Sequence, residues 1–223
     1  LACPLRASQR VRFKLRSLSP LSGLRLLRIG RRARLLTLLF GLLLFPLFMG
    51  DVLQLYMMDQ WGLERPQMRD LVSLRQLAGM ASNTLSGRLI AMSGVRSFAA
   101  LAIVSELTYW LGFAHSHPAA LGCAVAGWLG SARALSANTM LTAEGARVGI
   151  PQGLLAGYRG NFVAILKVAG PLLHGKLYVL GKGLGVPQLP FLLNAACLLL
   201  ALPLSVVAMG PLPPAPPAPP ADP

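Results

Sequence analysis

The chain has 223 residues, 54% of them hydrophobic and only 13% charged, with a mean hydropathy of +0.59. A soluble domain carries about 25% charged residues, so this composition excludes an ordinary soluble domain and predicts an integral membrane protein. The net charge of +14 does not point to nucleic acid, because ten of the 21 basic residues lie within residues 1–34, where no acidic residue occurs; basic residues facing the cytoplasmic side of a bilayer are distributed in this way.

Residues 1–34 carry Arg6, Arg10, Arg12, Lys14, Arg16, Arg25, Arg28, Arg31, Arg32 and Arg34 among serines and leucines. Two readings are open. One is a cytoplasmic segment lying on anionic lipid. The other is the remains of an Arg-rich, Ser-rich transit peptide. The absence of Met before Met49 favours the first.

Six spans follow. The first is Leu35–Met57, long enough at about 1.5 Å per residue to cross a hydrocarbon core of about 30 Å. Pro46 should kink it, because proline has no N–H to give the helix. Asp51 and Gln54 sit near its far end, and Trp61 in the next loop reads as an interfacial anchor. The second span, Asp70–Ile90, is weakly apolar. Arg75, Gly79, Ser82 and Ser86 form one stripe at helical spacing, flanked by Gln76 and Asn83, so this span lines protein or water rather than lipid.

A glycine-punctuated turn, Gly87–Arg96, leads to the third span, Phe98–Ala114, which carries Glu106. The fourth span is Ala119–Leu141. Gly127, Gly130, Ala134 and Ala137 give it a small-residue face, and Arg133 and Asn138 lie inside it. Glu144 and Arg147 belong to the loop beyond. The fifth span, Leu154–Val179, holds Gly157, Arg159, Gly160, Lys167, Gly170 and Pro171. Gly160, Val163, Lys167, Gly170 and His174 follow one line of that helix, so Lys167 is expected to point inward, with the glycines packing on other helices. The sixth span, Leu189–Met209, has Asn194 and Ser205 as its few polar residues and reads as peripheral. Residues 210–223 read as a Pro-rich, polyproline-like coil.

Six spans put both termini on one side. With residues 1–34 cytoplasmic, the loops at Arg88/Arg96 and at Arg147 are cytoplasmic too, and Lys176 and Lys182 run against the charge rule. Cys3, Cys123 and Cys197 form no CxxC pair, and His115 and His117 have no third ligand nearby, so no metal site or cofactor is expected.

With the spans placed, the chain resembles the C-terminal half of a major facilitator superfamily transporter. Gly87, Arg88 and Leu89, with Gly94 and Arg96, resemble that family's loop motif G-x-L-x-D-x-x-G-x-R, with Ala91 at the acidic position. Gly157 and Gly160 followed by Gly170-Pro171 look like its eleventh helix, most similar to the drug–proton antiporter and tetracycline-resistance branch. The basic stretch before the first span looks like the loop between the two halves. The resemblance covers residues 35–209. It implies an all-α membrane protein of six transmembrane helices, built as two inverted three-helix repeats. It implies secondary transport of a small solute by alternating access, and no enzyme. It also expects an N-terminal six-helix half as partner, and the first residue, Leu1 rather than Met, fits a fragment. The other reading is a half-size membrane scaffold that does not transport.

The candidates for substrate or coupling roles are Lys167, Arg133, Asn138, Arg159, Arg75, Asn83 and Asp51. A charge at the bilayer centre costs about 2.5–3.5 kcal/mol, so such residues serve a purpose or are paired. Lys167, Arg133 and Arg159 facing one cavity would attract an anionic substrate, and a buried Lys167 could instead couple protons. Alternatively these cations pair with Glu106, Asp51 or carboxylates of the partner half. Glu106 is expected to face the bundle and pair with a neighbour. Asp51 and Arg75 lie at similar depth, where an ion pair or two water-facing side chains are both open. Arg88 and Arg96 either steer the rocking motion or set topology alone.

Overall fold

The computed structural model describes residues 20–210. Residues 1–19 of the basic segment and the Pro-rich tail from residue 211 lie outside the described residues. Among those described there is no β-strand. A 3-10 helix, Pro20–Arg28, leads into α1 (Arg31–Leu44), a short 3-10 turn (Phe45–Met49) and α2 (Gly50–Trp61). Then come α3 (Arg65–His115), α4 (His117–Ala126), a 3-10 segment (Trp128–Ala132) and α5 (Arg133–Arg147). The bundle closes with α6 (Gln152–Gly183) and α7 (Leu189–Ala208).

Four helical stretches are long and apolar enough to cross a membrane: Arg31–Trp61, Arg65–His115, Gln152–Gly183 and Leu189–Ala208. Leu77, Val179, Leu200 and Val206 are exposed and line neither of the bundle's cavities. Exposed apolar residues of this kind suit a lipid environment and not water. The protein is a helical membrane protein.

The first stretch bends where Pro46 removes a backbone donor, and Phe48 leaves helical geometry at φ −92°, ψ 25°. Gly62, at φ 62°, ends α2 in the left-handed region that glycine enters without a Cβ penalty. Helix α3 starts with a capping box, in which the Glu64 N–H donates to Gln67 Oε1 at 3.0 Å.

Helix α3 differs from the expected pair of spans with a ten-residue turn between them. The backbone stays helical through Gly87, Arg88 and Leu89 and breaks only at Gly94, at φ 79°, ψ 158°. That conformation is open essentially to glycine alone. At Gly87 nothing lies within 4 Å of a Cβ position. The same holds at Gly94, so backbone conformation and not crowding separates the two glycines.

The expected fourth span is also divided. The chain runs as α4, then tightens into the 3-10 segment, then resumes as α5, which extends through Glu144 and Arg147 instead of stopping at Leu141. Close packing on α3 accounts for the break. A Cβ at Gly127 would lie 2.8 Å from Tyr109 Cβ, and one at Gly130 would collide with the Glu106 side chain.

The stripe on the first half of α3 faces this segment. Gly79, Ser82 and Ser86 are buried, and Ser82 Oγ donates to the Leu129 carbonyl at 3.2 Å. The core is filled by Leu36, Leu39, Leu43, Met57, Phe98, Ile103, Phe113, Leu141, Leu155 and Phe191. Fully burying each such side chain is worth about 1.5–3 kcal/mol against water, less against lipid.

The later part of the basic N-terminal segment is docked on the bundle. Gly23 lies against the α6 backbone at Asn161 and Phe162, Asn161 Nδ2 donates to Ser22 Oγ at 2.7 Å, and Arg25 Nη1 donates to Tyr158 OH at 3.4 Å. At the same end of the bundle, Arg96 Nε donates to the Met209 carbonyl and Arg32 Nη2 to the Gly210 carbonyl, each at 2.5 Å. Cations there complement the negative end of the α7 dipole.

Candidate functional site

Two adjoining cavities lie in the bundle. They share Asn83 of α3 and Ser131 of the 3-10 segment. The first, about 340 Å³, is lined by Arg75, Gln76, Glu106, Tyr109, Trp110 and Arg133 with the chain around Pro46. The second, about 530 Å³, is lined by Phe40, Asn138, Arg159, Gly160, Val163 and Lys167.

The wall of the first cavity is an ion cluster. Glu106 is 1% exposed. It pairs with Arg75, accepts from Trp110 Nε1 at 3.0 Å, and lies 3.2 Å from Arg133 Nη1. The arginines are also held by backbone. Arg75 Nη1 donates to the Gly127 carbonyl at 2.6 Å, Arg133 Nη1 to Gly130 at 2.9 Å, and Arg133 Nε to Leu43 at 2.6 Å. The breaks in helix geometry explain this choice. Carbonyls at Gly127 and Gly130 sit where α4 stops and the 3-10 segment turns, and Leu43 precedes the Pro46 bend, so their oxygens are accessible to side-chain donors. The Arg75 guanidinium also lies 4.2 Å from the Tyr109 ring centroid, within cation–π range. Such a cluster is rigid, with every charge both paired and hydrogen-bonded.

The second cavity is less compensated. Arg159 donates to two neutral groups, Asn138 Oδ1 and, at 3.2 Å, Thr142 Oγ1. Lys167 is exposed at the cavity and has neither a hydrogen bond nor an ion pair among the described residues. Pro171 stands four residues beyond it and carries no N–H, so the Lys167 carbonyl also lacks its usual helical donor.

The structure thus brings Arg75, Arg133 and Asn83 to one cavity, and Asn83, Asn138, Arg159 and Lys167 to the other. Asp51 is not among them. It is exposed on α2 and lines neither cavity, and the partner of Arg75 is Glu106. Of the packing residues expected on α6, Gly170 meets Phe48, with a Cβ position 2.6 Å from Phe48 Cβ. Gly157 and Gly160 have open space at their Cβ positions, the 3-10 helix Pro20–Arg28 packing instead on the neighbouring Tyr158, Asn161 and Phe162, and Pro171 is half-buried. Arg88 is exposed, whereas Arg96 binds the end of α7.

Sequence reasoning did not single out Tyr109, Trp110 or Ser131 as site residues. Tyr109 and Trp110 follow Glu106 by three and four positions, and that helical spacing was the available signal. At the basic end, Glu144 accepts from Arg147 Nε at 3.0 Å and from Nη2 at 2.6 Å, with Arg32 Nε 3.9 Å away. The Arg147 hydrogen bonds hold the Glu144 carboxyl below the usual glutamate range, and Arg147 and Arg32 add Coulombic attraction. Compared with known proteins, the chain matches no family model, no curated protein and no solved structure.

Proposed function

We propose that the chain is the C-terminal six-helix half of a secondary transporter similar to the major facilitator superfamily, moving a small solute by alternating access and coupled to protons. The single observation that carries the reading is Lys167. An exposed cation with neither a hydrogen bond nor an ion pair among the described residues lines a cleft of an otherwise apolar bundle, where a ligand, a proton exchange or a partner half would use it.

Other features support the reading. Helix α3, at 51 residues, is about twice the length that one crossing needs, and Gly94 divides it. Taken as two passes, and with α4 to α5 as one more, the helices make six crossings that group as residues 31–115 and 117–208. These groups are the proposed inverted repeats. Arg32, Arg96 and Arg147 gather at one end, which we assign to the cytoplasm together with both termini.

The test is uptake or efflux by the full-length protein in reconstituted vesicles, screened with and without a pH gradient. Lys167→Ala is expected to abolish transport without loss of protein from the membrane. Retained transport rules out Lys167 as the binding or coupling residue.

A further inference from the structure

We propose that the paired cavities form one site for an organic anion, with the anionic group at Arg159 and Lys167 and an apolar body reaching past Asn83 and Ser131 toward Tyr109 and Trp110. This rests on the transport reading and names its solute by class.

The charge balance favours an anion. Four cations and one carboxylate line the two cavities. Arg75 and Arg133 are committed to Glu106 and to backbone carbonyls. Arg159 donates only to neutral oxygens, and the Lys167 side chain makes no hydrogen bond or ion pair among the described residues. A carboxylate or similar oxyanion supplies the acceptors both are missing, and a guanidinium binds such a group through parallel N–H donors. A neutral solute leaves that charge uncompensated, and a cation is repelled by it.

The volumes favour an organic anion over a simple inorganic one. Cavities of about 340 and 530 Å³ sharing two residues are of the size that holds a drug-sized molecule. Phe40, Leu135 and Val163 make the second cavity apolar beside its cations. Tyr109 and Trp110 wall the first, and their rings favour a flat apolar group. Inorganic phosphate would leave these walls unfilled.

The experiment is equilibrium binding of radiolabelled 4-phenylbutyrate to the full chain in nanodiscs of zwitterionic lipid, with empty nanodiscs subtracted. Saturable binding is expected. The neutral amide 4-phenylbutyramide should compete at least ten-fold more weakly, and acetate and phosphate should not compete in the same range. Lys167→Gln and Arg159→Gln should each weaken binding by ten-fold or more, and Lys176→Gln, an exposed position on α6 outside both cavities, should not. Lys167 is exposed, so its variant is expected to unfold at the wild-type temperature.

The proposal is overturned by an absence of saturable binding, by equal competition from the amide, by equal competition from acetate or phosphate, or by undiminished binding in both variants. The transport reading fails separately. Saturable phenylbutyrate binding without solute movement in vesicles overturns transport and leaves the site, whereas transport of another solute without phenylbutyrate binding overturns only the site.

Discussion

Glu106→Gln tests the ion cluster directly. The change keeps the shape of the side chain and an oxygen for Trp110 Nε1, but it removes the one negative charge that Arg75 and Arg133 share. Those arginine side chains are 15% and 5% exposed, so neither reaches water easily. Breaking a buried pair by removing one partner costs about 3–5 kcal/mol, because the remaining charge is left uncompensated. Here two charges remain, held by carbonyls, so the upper part of that range is expected. The assay is unfolding by added dodecyl sulfate in mixed micelles, followed by tryptophan fluorescence. Glu106→Gln/Arg75→Gln should lose less than the sum of its parts, with a coupling of about 0.5–3 kcal/mol. A single variant within about 1 kcal/mol of the wild type, or a double variant that is simply additive, refutes the cluster as a structural lock.

Gly94→Ala should destabilise the protein by about 1–3 kcal/mol, since φ 79°, ψ 158° is strained for any residue with a Cβ. Gly87→Ala, in open helical backbone, should be neutral or stabilise by up to about 1 kcal/mol; the same micelle unfolding compares the two, and equal effects would place the joint elsewhere. Glu144 has a folded-state pKa below its unfolded value, so its contribution is present above the unfolded pKa and is lost as pH falls through the folded one. Melting temperatures measured down an acid pH series should show that loss in the wild type. In Glu144→Gln the acid-side slope should shrink; an unchanged slope would mean that Arg147 does not stabilise the carboxylate.

Features that depend on one residue type or one spacing were legible in the sequence. Pro46 bends its helix because it has no N–H, and Gly79, Ser82 and Ser86 are buried together because helical spacing puts them on one face. Other features depend on which distant residue arrives, and local pattern does not encode that. Gly87 and Gly94 are the same residue type in the same motif, and nothing in the local pattern says which one breaks the helix. The break around Gly127 and Gly130 was hidden because small residues mark close packing without marking a stop. Asp51 lies at a depth similar to that of Arg75, which left an ion pair between them open. The bundle selects Glu106 because the second half of α3 folds back past Gly94 and places it inside, next to Arg133 of α5.

Arg32 and Arg96 hold the carbonyls that follow α7. The first turn of α1, the backbone just past the Gly94 joint and the exit of the last helix therefore share one address. A fluorescent reporter fused behind Gly210 emerges at that address. Quenching it from one side of a sealed vesicle assigns all three points to a compartment in a single measurement, and with them the polarity of every other helix in the bundle.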